Sequence, residues 1–180
     1  MKHLTFLFFL FCSINHLSAQ SKSTKNTISE DTTKIIHRDS PVRSLSSAEY
    51  AAYQNGDKMD MVRVAELNNY PAPGQVMALE KELKLSVIQR VNLKAAIEAL
   101  DFKAKEMGRF IIQHEKKLND LFSSGKVDEG SLIYYCNQIG LYQGELRNAH
   151  LQAHLKAVRI LTPDQLKKFT RLKGDKTKAE

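Results

Sequence analysis

The chain is poor in the residues and motifs that usually announce a chemistry. It has only two cysteines, Cys12 and Cys136. Cys12 lies in an apolar leader, so a single thiol remains downstream and no internal disulfide can form. The fold must rest on packing, and Cys136 is expected to act as a small buried hydrophobe. HExxH, CxxC, G-x-S-x-G and the phosphate-binding P-loop are all missing, and no nucleophile is paired with a base at a recognisable spacing. These absences argue against an enzyme. No segment reads as a strand, and there are no Gly-rich phosphate loops, which leaves an all-α class. No apolar run reaches the length needed to cross a bilayer.

The longest apolar run opens the chain. Lys2 and His3 precede Leu4–Ile14, and small residues lead to Ala19. This order is that of a secretory signal peptide over residues 1–19, and it predicts export to the periplasm. Phe11 stands before Cys12 where a lipidation site needs a small residue. The full chain of 180 residues carries a net charge of +7. Without Lys2 it has 26 basic and 20 acidic residues, a charge near +6. Such a surface attracts acidic partners, and for an exported protein nucleic acid is the least expected of them. Residues 20–44 are rich in Ser, Thr and Lys and read as a disordered tether.

A helical domain is expected over residues 45–174. Ser46 and Glu49 form a capping box that opens a short helix, which Asn55-Gly56 closes. Residues 57–69 carry Met59, Met61, Val62, Val64 and Leu67 and are expected to drape over the core. Residues 75–85 show Val76, Leu79 and Leu83 at helical spacing. From Val87 a heptad seam runs through Leu93, Ile97, Leu100, Ala104, Met107, Ile111, His114, Leu118 and Leu121. It predicts a helix on the order of 55 Å long that stops at Gly125. Asp128 caps a return helix whose inner face is Leu132, Cys136, Ile139, Tyr142, Leu146, Ala149, Ala153 and Ile160. The short turn makes the two long helices antiparallel neighbours. A last helix, residues 163–172, turns Leu166, Phe169 and Leu172 inward, and Gly174 ends it. Residues 175–180 form a basic tail.

Two stretches share a spacing: Leu83-Lys84-Leu85-Ser86-Val87-Ile88-Gln89 and Leu161-Thr162-Pro163-Asp164-Gln165. In each, a hydroxyl residue precedes a glutamine by three positions, the spacing of a capping box. Pro163 falls at N1, where its missing N–H costs nothing. Ser86, Gln89, Thr162 and Gln165 are therefore helix starts, flanked by Leu85 and Leu161.

Histidine supplies the remaining chemistry. His150 and His154 lie four residues apart, so both imidazoles can face one ion. Further ligands would come from His114 and Glu115 on the opposing helix or from Met59 and Met61, suiting copper, zinc or nickel. The alternative is that both histidines flank the core and hydrogen-bond to neighbours. His114 equally reads as a semi-buried core residue, and the two methionines as core filler.

With its leader, its long hairpin and the doubled motif at 83–89 and 161–165, the chain resembles the Spy/CpxP-type periplasmic family, known for twin LTxxQ motifs. The resemblance covers residues 70–172, with Ser86 in place of Thr in the first motif. It implies a bent four-helix hairpin that dimerises into a cradle and needs no cofactor. It also implies an ATP-independent chaperone for unfolded or misfolded envelope proteins, or a restraint on a membrane sensor protein. A related branch senses heavy metals through histidines ahead of each motif. Here those positions hold Val76, Glu80, Ala153 and Ala157.

Overall fold

The computed structural model describes residues 40–177. The expected signal peptide, most of the tether and residues 178–180 lie outside them. Six helices follow in order: α1 Ser47–Asn55, α2 Arg63–Leu67, α3 Pro73–Ala78, α4 Val87–Ser123, α5 Glu129–Ile160 and α6 Pro163–Thr177. The described residues contain no strand. The all-α class and the long packed pair α4–α5 are as the heptad seam predicts.

Local chemistry sets the helix starts. The Ser46 hydroxyl accepts from the Glu49 N–H, and Glu49 Oε2 accepts from the Ser46 N–H. Ser86 with Gln89 and Asp128 with Ser131 close the same reciprocal box. At α3 only half a box exists: Gln75 Oε1 accepts from the Ala72 N–H at 3.0 Å. Gly56 (φ 71°) ends α1, and Gly125 (φ 66°) follows the last residues of α4.

Two core clusters hold the hairpin. The first joins Val42, Leu45 and Tyr53 to Ala104, Met107 and Ile111 of α4 and Leu146 of α5. The second, at the end where α4 starts and α5 finishes, joins Val76, Leu83, Leu85, Leu93, Ala157, Leu161 and Phe169. Leu93, Ile111 and Leu146 are fully buried. Each such side chain contributes roughly 1.5–3 kcal/mol.

Several expectations need correction. Val42 is buried and the Leu45 N–H donates to its carbonyl at 3.0 Å, so the domain starts inside the expected tether. A single apolar residue in a polar stretch suffices when a groove beside α4 receives it. The helix expected over 75–85 is shorter: after Ala78 the chain makes turns to Lys84, whose φ is 51°. Those turns let both Leu83 and Leu85 face inward, which a continuous helix would not allow. Gly174 does not end α6, which continues through the first residues of the expected tail to Thr177. A helical glycine costs about 1 kcal/mol, and it stops a helix only in the left-handed conformation, which Gly174 does not adopt. Cys136 is exposed and Leu132 is largely so. Among the described residues the two long helices have only each other to pack on near Gly125, so the buried stripe is narrow there.

Candidate functional site

The two motif glutamines meet. Gln89 Nε2 donates to Gln165 Oε1 at 2.7 Å, and Gln165 Nε2 donates back to Gln89 Oε1 at 3.1 Å. Each amide also completes its own capping box. Gln89 Oε1 accepts from the Ser86 N–H at 3.0 Å, and Gln165 Oε1 from the Thr162 N–H at 2.9 Å. The remaining amide hydrogens reach across the corner. Gln89 Nε2 donates to the Ile160 carbonyl at 2.9 Å, and Gln165 Nε2 to that of Leu83 at 3.1 Å. A primary amide has two N–H donors and an oxygen with two lone pairs. All are used at both residues, which makes the pair a structural tie with no capacity left for a ligand. Leu85 and Leu161 are buried beside it, and Pro163 opens α6.

His150 and His154 stand on the face of α5 beneath the draped segment. Both are buried. His150 Nε2–H donates to the Gly56 carbonyl at 3.0 Å, and His154 Nδ1–H to the Tyr70 carbonyl at 2.7 Å. The two imidazoles thus fasten the two ends of one strap, residues 56–70. Burial lowers the His150 pKa below its ordinary 6.5, and His154 and Lys58 add to the effect; the Gly56 carbonyl and Asp57 oppose it. Lys58 and Glu66 pair within the strap, and Lys173 of α6 donates to the Glu66 carbonyl at 3.0 Å.

The other residues considered as ligands are placed elsewhere. His114 Nδ1–H donates to the Phe110 carbonyl of its own helix at 2.7 Å, and its ring lies 5.2 Å from that of Tyr142. Glu115 accepts from the Ser44 hydroxyl at 2.9 Å and so pins the incoming chain to α4. Met59 and Met61 pack against the first core cluster. Among the described residues no three His, Cys, Asp or Glu side chains come together as a metal group. One nitrogen of each ring holds a separate carbonyl and the other stays available, so the pair offers two imidazole donors that no third side chain of those types joins among the described residues.

Two further features were not foreseen. Large apolar side chains are exposed in three groups, one of them Val64, Leu67 and Tyr70 of the strap. Val87, Ile88, Val91 and Phe102 follow the outward face of the first half of α4. Phe122, Leu132, Ile133 and Tyr134 flank the Gly125 turn and Leu141 lies further along α5; of these the periodicity predicts an inner position for Leu132 alone. A groove between α4 and α5 is floored by Ala96, Ala99, Ala149 and Ala153, with Lys103, Lys156 and Glu145 on its rims.

Comparison of the chain with protein-family models, with curated proteins and with solved structures returns no match.

Proposed function

We propose that the chain is an exported, periplasmic protein-binding factor that holds unfolded or misfolded envelope proteins without ATP, or that modulates envelope stress through a membrane sensor protein. The observation that carries this reading is the set of large apolar side chains left exposed along the hairpin, with Phe102 at 69% and Ile133 at 61% exposure. Large apolar side chains left exposed in groups mark surfaces where other proteins bind. The net positive charge speeds encounter with acidic chains, and a client that folds buries its own apolar surface and leaves. In this reading α3 with its following turns, α4, α5 and α6 form a bent four-helix hairpin. Two copies pair into a cradle. No catalysis and no nucleic acid are involved.

The mature protein in several-fold excess is expected to suppress aggregation of an unrelated unfolding protein without ATP. The double substitution Ile133→Ser, Leu141→Ser is expected to weaken that suppression with little change in Tm, because both side chains are exposed. Absence of suppression by the unaltered protein overturns the proposal.

The second reading, a periplasmic metal sensor or buffer, is supported by the His150–His154 spacing and has only those two imidazoles to rest on, since no further His, Cys, Asp or Glu joins them among the described residues. Titration with copper, zinc and nickel separates the two. Binding that His150→Ala with His154→Ala abolishes favours the sensor; unchanged binding removes it.

A further inference from the structure

Under the strap lies a cavity of about 350 Å³ that neither the capping motifs nor the exposed apolar groups involve. Its apolar side is Ile97, Leu100, Ala104 and Ala153, and its polar side includes Asp57, His150 and His154. The volume falls at the lower end of small-molecule pockets, roughly 300–1,000 Å³.

The polar side has a defined chemistry. Because His150 Nε2 carries the proton donated to Gly56, its Nδ1 is a bare acceptor in the neutral ring. That nitrogen has no protein partner, yet no buried side-chain nitrogen or oxygen among the described residues lacks one. Nδ1 must therefore touch open space, and this cavity is where His150 meets it. Burial favours the neutral ring. The lining also has a net negative charge. Lys58 is paired with Glu66, and Asp101 with Lys105 at 2.8 Å. Asp57 forms no ion pair among the described residues and acts electrostatically on His150. A bare imidazole acceptor beside an unpaired carboxylate suits a ligand that is both cationic and rich in N–H donors. It disfavours an anion.

We propose that this cavity binds a small amphipathic primary amine. The ammonium group donates to the Asp57 carboxylate and to His150 Nδ1, and the alkyl body lies on Ile97, Leu100, Ala104 and Ala153. His154 shapes the site from the next helical turn while holding Tyr70. The site shares no residue with the exposed apolar groups invoked for protein binding, so the two proposals fail independently.

The test uses the mature protein with hexylamine, hexanol and hexanoate, followed by calorimetry and by the histidine imidazole NMR signals. Hexylamine is expected to bind one-to-one, about tenfold or more tighter than hexanol or hexanoate, as a charge-assisted hydrogen bond requires. It is also expected to shift the His150 signals. Asp57→Asn is expected to weaken hexylamine by about tenfold. It should leave Tm unchanged, because Asp57 is exposed. Equal binding of all three compounds, no saturable binding of hexylamine, or full affinity in Asp57→Asn overturns the site.

Discussion

The residue-scale result is the amide pair at the corner. Gln89 and Gln165 each cap one helix and bind each other, so neither acts alone. Gln89→Ala and Gln165→Ala are each expected to cost about 1–3 kcal/mol, and the double variant less than the sum. Urea unfolding of the four proteins checks this; strict additivity would refute the coupling. The boxes themselves were legible, because capping is written in four consecutive residues. Their union was not, since it depends on the hairpin bringing positions 89 and 165 to one end. The His150–His154 face was legible in the same way, from a spacing of four. The carbonyls those rings bind belong to a segment with no regular period. His150 also makes stability pH-dependent. Its native pKa lies below 6.5, so the folded state holds fewer protons than the unfolded chain. Stability from this group is complete above pH 6.5 and is lost as pH falls from there towards the lowered native value. Urea midpoints at pH 7.5 and 5.5 are expected to differ in that direction, and by less in His150→Gln, which retains an N–H donor for Gly56.

At the scale of elements, α1 is seated on α4 through two glycines. A Cβ at Gly108 would stand 1.8 Å from the Tyr53 carbonyl oxygen, and one at Gly56 2.8 Å from the Ala104 side chain. The first is a backbone clash that only separation of the helices relieves. Gly108→Ala is expected to destabilise the protein by at least about 1–3 kcal/mol, read by thermal unfolding, with amide exchange rising first in α1. Wild-type stability in that variant would mean α1 is not packed this closely. Gly56 was readable as a helix end from its neighbour Asn55. Gly108 was not, because a glycine inside a helical seam gives no sign of what crosses it. The same limit explains the end of α6: stop signals depend on backbone conformation, whereas start signals depend on side chains.

For the whole described unit, support is uneven along the hairpin. The two core clusters lie beside α1 and at the corner, while among the described residues the Gly125 turn has only α4 and α5 against each other. Native-state hydrogen exchange is expected to be slowest around Ile111, Leu146 and Leu93 and markedly faster over residues 118–135. Uniform protection along both helices would contradict this. The fast end is also where Phe122, Ile133 and Tyr134 are exposed, so the least rigid part of the hairpin is part of its proposed interaction surface. The heptad seam marked which residues face inward on a helix pair. It did not mark where a third layer stops covering them, because that depends on how far α1 and the strap reach.

The shared amide ring also bears on the order of folding. Residues 89 and 165 are 76 positions apart, so although each local capping box can close alone, the amide ring forms only once the chain between them has closed into the hairpin. A bond of that separation forms after the local turns have nucleated. The ring is then a latch that sets how long the native state lasts: removing either glutamine is expected to speed unfolding more than it slows folding, the smaller effect on folding coming from the local box lost with it.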